Sequence, residues 1–241
     1  MSGHSKWSTI KRQKGIADAR RSSVFTKLAR AIAIAAKMGG KDPAMNFQLR
    51  LAIDRARAAN MPNDNVDRAI KAGAGELKSD QVKEVLYEGF GPGGVAVLVQ
   101  AITDNTNRTA ADMRHLFSQH GGSLGGQNSV AWMFERRGVI RLPAHTITNQ
   151  TIDDFGLQLV DVGAEDVSLE AGDCVIITSP EKLQAVREWL LAQGYAPQEA
   201  GLEFVPTTPM KIDTAAQKKL FALFQALEEH DDVDNFFSHA E

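Results

Sequence analysis

VAVLVQAI, residues 95–102, is an almost unbroken apolar run of strand length, and the chain obeys a different periodicity on either side of it. Such a run reads as a buried strand. Upstream of it apolar residues recur at helical spacing, whereas downstream strands and helices alternate. The chain therefore reads as an α-helical segment followed by α+β structure.

The upstream segment predicts three short helices. Val24, Leu28, Ala31, Ile32 and Ala35 form an apolar stripe from Val24 to Met38, and Gly39-Gly40 supplies the stop. A second helix is expected behind an Asp42 cap with Pro43 at its first position, burying Leu49, Ala52, Ile53 and Ala56 and ending at Asn60-Met61-Pro62. A third starts near Asn63 to Asn65, buries Val66 and Ile70, and finishes at Gly73. The mixed glycine, serine and charge of residues 72–80 mark a domain boundary.

Downstream, a helix is predicted at Arg108–His120 and a second strand at Ser129–Glu135. Residues 138–205 then read as β-α-β-β-α-β, a ferredoxin-like unit: strand 138–142, helix 151–162, hairpin 166–169 with 173–178, helix 181–193 and a strand ending near Val205. A strand near Met210, a helix at Ala215–Glu229 and a short strand holding Phe236 and Phe237 complete the chain. The fold expected is an N-terminal three-helix domain plus two ferredoxin-like α+β domains, one inserted in the other. Its boundaries are 1–78 for the basic helical domain, 79–136 with 206–241 for the split domain, and 137–205 for the insert. Three domains suit 241 residues, more than one core usually serves.

Charge is segregated along this plan. Residues 1–78 hold 16 Lys/Arg against six Asp/Glu, a formal +10, and the remainder holds 11 against 24, a formal −13. A cationic segment of this kind attracts a polyanion, since each phosphate it neutralises releases condensed counterions. The acidic remainder repels the same polyanion and suits a capping, orienting or recruiting role toward basic partners.

The basic end is also where an aromatic sits among cations. Residues 3–23 carry Lys6, Lys11, Arg12, Lys14, Arg20 and Arg21 around Trp7, an arm in which cations reach phosphates and Trp7 stacks on an unpaired base. The bland alternative is a solvated charge run with Trp7 packed on the first helix. Lys27, Arg30 and Lys37, at i, i+3 and i+10, share one helix face and extend the basic surface. These ten residues are the expected nucleic-acid contact set. Arg55, Arg57, Arg68 and Lys71 rank second, because Asp54, Asp64 and Asp67 can balance them within the bundle.

Other chemistries find little support. Gly89-Phe90-Gly91-Pro92-Gly93-Gly94 precedes a strand, whereas a dinucleotide-binding loop follows one, so it reads as a tight turn. The six histidines show no metal-ligand spacing, and the single cysteine, Cys174, lies in an apolar strand as a buried thiol. No catalytic serine, cysteine or phosphate-loop signature is present, so an enzyme, a metal and a cofactor are not expected. The acidic cluster Glu228, Glu229, Asp231, Asp232 and Asp234 reads as a solvated helix end, with a docking face for a basic protein as the alternative. The longest apolar run of the basic region, Ala31–Ala36, is too short for a membrane span or a signal core, and one cysteine fits a reducing compartment. A cytoplasmic monomer without membrane association is expected.

GHSKW at 3–7, FTKLARAIAIAAKMGG at 25–40, NMPNDNVDRAIKAG at 60–73, YEGFGPGGVAVLV at 87–99, TDNTNRTAADMRHLF at 103–117 and GGSLG at 121–125 together resemble the YebC family, over essentially the whole chain. The resemblance implies a three-domain α and α+β protein. It also implies one of two functions: a DNA-binding transcriptional regulator, or a translation factor related to the mitochondrial translational activators that acts on the ribosome at difficult sequences such as proline runs. The expected partner is therefore DNA or ribosomal RNA, with the ribosome or basic proteins on the acidic side. No helix-turn-helix element with base-reading side chains stands out for the first, whereas RNA recognised by shape, phosphate and stacking needs none.

Overall fold

A computed structural model describes residues 21–77, 82–148, 151–170 and 172–241, in two compact units. One spans Phe134–Thr207; the described residues up to Met133, together with those from Thr208 onward, form the other.

The larger unit begins with α1 (Arg21–Gly39), α2 (Phe47–Ala58) and α3 (Asn63–Gly73). Their apolar stripes meet in a core of Ile32, Ala36, Leu49, Ile53, Ala56, Val66 and Ala69. Asn46, rather than Asp42, caps α2. Its Oδ1 accepts the Leu49 amide at 3.0 Å, while its Nδ2 donates to the carbonyls of Ala35 and Gly40, each at 2.8 Å. One amide side chain thus starts α2 and ties it to the end of α1, which an aspartate without N–H donors cannot do. Asp42 instead holds the turn between them.

A four-stranded sheet follows, in the order β3-β1-β2-β8, with every pair antiparallel. Its strands are β1 (Lys83–Gly91), β2 (Val95–Thr103), β3 (Ser123–Leu124) and β8 (Val233–Ser238). Between them α4 (Thr106–Gln119) and α7 (Thr214–Glu229) cover one face, where Val95, Val97 and Val99 meet Met113, Phe117, Leu220, Leu223 and Leu227. The chain path is β-β-α-β and, after the other unit, α-β. The expected strand at 129–135 is a 3-10 turn, Ala131–Met133, leading into a strand that starts at Phe134, and Met210 makes only an isolated bridge to Ala240.

Strand β1 lies outside the strands that the sequence pattern predicts, for a steric reason. A Cβ on Gly89 would lie 2.6 Å from the Phe117 ring, and one on Gly91 2.9 Å from Leu220. The face of β1 that meets the helices therefore ends in glycine, which erases the period-2 pattern. The opposite face carries Leu86, Glu88 and Phe90, paired with Gln100, Leu98 and Ala96 of β2. α1 packs against β2 and β8.

The second unit is a four-stranded antiparallel sheet in the order β5-β6-β4-β7, read along the chain as β-α-β-β-α-β. It comprises β4 (Phe134–Pro143), α5 (Ile152–Val162), β5 (Ala164–Glu170), β6 (Asp173–Thr178), α6 (Leu183–Ala192) and β7 (Glu199–Pro206). Phe155, Leu159, Leu183, Val186 and Leu190 are fully buried helix residues of this unit. Gly138 admits α6, since a Cβ there would stand 2.8 Å from Leu183 Cβ. Buried Arg141 forms a bidentate pair with Glu203 across β4 and β7.

Candidate nucleic-acid interface

Of the ten expected contact residues, Lys6, Trp7, Lys11, Arg12, Lys14 and Arg20 lie outside the described residues. Arg21 opens α1, and Lys27, Arg30 and Lys37 follow on it. Lys37 is exposed, and its Nζ donates to the Val82 carbonyl at 3.3 Å.

Lys27 and Arg30 point to the chain's own acidic segment. Lys27 Nζ donates to the Glu228 carbonyl at 2.6 Å, and Ser23 Oγ, one turn earlier, donates to Asp231 Oδ1 at 2.6 Å. Arg30 Nη1 donates to the Asp231 carbonyl at 3.0 Å and to Asp232 Oδ1 at 2.7 Å. The face that extends from the arm is thus anchored, along Ser23, Lys27 and Arg30, to the junction between α7 and β8.

Asp232 is the centre of this junction. It is only 4% exposed, and its other oxygen, Oδ2, accepts from Arg108 at 3.0 Å and from the Thr109 hydroxyl at 2.7 Å, with Thr103 Oγ1 at 3.2 Å. Burial opposes its charge, but the Thr109 and Arg108 hydrogen bonds and the charge of Arg30 outweigh it and hold the carboxyl down at about 2. Five of the seven polar residues of the 103–109 stretch are thereby accounted for: Asn105 caps α4 through the Arg108 amide, Thr103 and Thr109 line the pocket, and Arg108 bridges Asp104 and Asp232.

The acidic cluster is accordingly not a solvated helix end at Asp232. It is a docking face whose basic occupant is α1 of the same chain. The sequence signal was TDNTNRT at 103–109, seven polar residues in a row directly after an apolar strand, since such groups need partners once the strand carries them inward.

Elsewhere the groups are structural. Cys174 is fully buried, and burial, with Asp173 beside it, pushes its thiol up to about 12. His239 is buried, its Nδ1 accepting the Ala96 amide at 3.1 Å, and desolvation lowers its pKa. Among the described residues no group of three His, Cys, Asp or Glu side chains is arranged to hold a metal ion, and no helix is long and apolar enough to cross a membrane.

The TACO1/YebC protein N-terminal domain matches residues 5–76, and the TACO1/YebC second and third domain matches residues 82–240. The chain belongs to the TACO1/YebC family. A relative from Treponema denticola is 48% identical over all of this chain and 96% of its own, and one from Pseudothermotoga lettingae is 44% identical over all of this chain and 94% of its own. Each is named a probable transcriptional regulatory protein. The crystal structure of a conserved hypothetical protein from Aquifex aeolicus superposes with a TM-score of 0.88 at 43% identity, covering 98% of this chain and 97% of that one. Within the TACO1/YebC frame, the two matched regions meet at the Arg30–Asp232 contact, the first supplying α1 and the second supplying β8.

Proposed function

We propose that the chain is a nucleic-acid-binding regulator of gene expression that engages its polyanion through the basic N-terminal segment. The observation that carries this is the formal +10 confined to residues 1–78 of a chain whose total is −3. The names of the relatives favour DNA as the polyanion. On this reading the chain is a cytoplasmic monomer with domains at 1–78, 79–136 with 206–241, and 137–205. The arm residues Lys6, Lys11, Arg12, Lys14, Arg20 and Arg21 give affinity, Trp7 stacks, and Lys37 adds to the surface.

A second reading, a translation factor on ribosomal RNA, draws on the inward turn of Lys27 and Arg30. Those contacts interrupt the basic face that a groove-reading helix would present, whereas an arm laid on RNA needs no such face. The acidic domains would then meet basic ribosomal proteins.

A salt titration of binding to duplex DNA and to purified ribosomes tests both, using the full chain and the Lys11→Glu/Arg12→Glu/Lys14→Glu variant. Sequence-selective DNA binding at physiological salt, lost in the variant, supports the regulator. Arm-dependent ribosome binding, with DNA binding weak and steeply salt-dependent, transfers the function to the ribosome. An affinity for both partners unchanged by the triple reversal overturns the role of the arm.

A further inference from the structure

Strand β1 carries a carboxylate whose partners are almost all backbone. Glu88 is buried on the sheet face away from α4 and α7, and it accepts the amides of Asn128 at 2.6 Å and of Val130 and Ala131, each at 2.8 Å. Burial opposes its charge, yet these amides together lower its pKa, so it stays ionised. The segment 125–131 is thereby pinned to the strand, with Gly125 N donating to the Glu88 carbonyl at 2.7 Å and Asn128 held at a left-handed φ of 64°.

The residue this loop delivers is Trp132. It is 72% exposed, although it stands between fully buried Val130 and buried Phe134, and Met133 N closes the turn on the Val130 carbonyl at 3.0 Å. A large aromatic fixed by its backbone and left in water forgoes the burial that residues of its kind usually find. Phe90, two residues from Glu88 on the same face of β1, is also 37% exposed. From Met113 through Phe134 the sequence holds no carboxylate of its own, and the carboxylate that does reach the loop, Glu88, is buried and taken up by the backbone amides. Gln127 and Asn128, exposed on the same loop, carry amide donors and acceptors of the kind that meet a base edge.

From this arrangement we infer that Trp132, on its Glu88-held loop, is a stacking platform for an unpaired nucleobase, a second nucleic-acid contact remote in sequence from the basic arm. Every base has a π-face, so such a platform binds single strands without reading sequence. The inference rests on the nucleic-acid reading above and narrows it to ligands that expose unpaired bases.

The test uses the full chain and an unstructured RNA of about twelve nucleotides, alongside the same sequence as a duplex. Trp132→Ala is expected to weaken single-strand binding roughly tenfold and duplex binding by less than about twofold, with Trp132→Phe retaining most of the affinity. Glu88→Gln, which keeps Trp132 but loosens its loop, is expected to fall between them. In a Trp7→Phe/Trp189→Phe background the remaining tryptophan emission should be quenched by the single strand. Because Trp132 is exposed, its substitution should leave the unfolding temperature in place.

Single-strand affinity unchanged in Trp132→Ala, with emission unaltered, overturns the inference and leaves the arm-based function standing. So does a Trp132→Ala variant that leaves ribosomes while keeping its RNA affinity, which would make Trp132 a protein anchor. Wild-type protein that binds neither nucleic acid overturns both readings together.

Discussion

Arg30 Nη1 stands 2.7 Å from Asp232 Oδ1, joining residues 202 positions apart. The pair is one half of a four-donor cage, since Arg108, Thr103 and Thr109 occupy the other oxygen. Removing the carboxylate leaves a partly buried guanidinium and two hydroxyls without their acceptor, a loss that a buried ion pair does not recover by relaxation. Asp232→Ala is therefore expected to lower the unfolding free energy by roughly 3 kcal/mol in urea titrations, and Asp232→Asn by less, because its amide oxygen still accepts. Asp234, half-buried and outside this cage, supplies the contrast, and its substitution by Asn should fall within about 0.5 kcal/mol.

Acid should act through the same residue. The Asp232 carboxyl is held down at about 2 in the folded chain, against 3.8 for the ordinary group. Its contribution is fully present above pH 3.8, falls as the pH drops through the interval, and is gone below about pH 2. Its size is no more than about 2 kcal/mol, given the solvent that reaches Arg108. The difference in urea stability between wild type and Asp232→Asn should accordingly be constant from pH 7 to 5 and shrink as the pH falls toward 2. A difference that stayed constant across that range would show that the carboxylate's charge does not carry the contact.

A second acid-sensitive group works in a different window. Desolvation lowers the His239 pKa from its usual 6.5, and its Nδ1 must remain unprotonated to accept the Ala96 amide. Above 6.5 the ring is neutral whether the chain is folded or not, so it adds no pH dependence there. As pH falls below 6.5 the unfolded chain takes up the proton first, and stability declines until the folded pKa is reached. His239→Gln, which retains an acceptor, should flatten the urea stability profile between pH 7 and 5, whereas Asp232→Asn should leave that part of the profile unchanged.

Much of the framework was legible in the sequence because its elements obey single local rules. The α1 stripe, the end of α3 at Gly73 and the hairpin of β5 and β6 each follow from apolar spacing and a terminator. What failed depends on atoms far away in the chain. β1 loses its alternation because Phe117 and Leu220 occupy the space that side chains at Gly89 and Gly91 would need. The cap of α2 passes to Asn46 because only an amide also satisfies the carbonyls at the end of α1. The same holds for function. Lys27 and Arg30 read as free cations on a basic face, since nothing local indicates that residues 228–232 return to meet them. Trp132 is a tryptophan like any other until the loop pinned by Glu88 shows why it is left in solvent.

The closest approach in the helical domain gives a test independent of charge. A Cβ on Gly73 would lie 2.2 Å from the Ala33 carbonyl oxygen, inside any permissible contact, and the obstacle is the backbone of α1 rather than a side chain that could swing away. Gly73→Ala must therefore push α3 away from α1 and open the core around Ile32 and Val66. The expected loss is about 1–3 kcal/mol despite the higher helix propensity of alanine. Gly75, where φ is +77° and nothing lies within 4 Å, supplies the contrast, because Gly75→Ala is strained only by its backbone and should lose about 1 kcal/mol. If Gly73→Ala proved as stable as wild type by urea titration, the crossing of α1 and α3 would not be as close as the 2.2 Å approach requires.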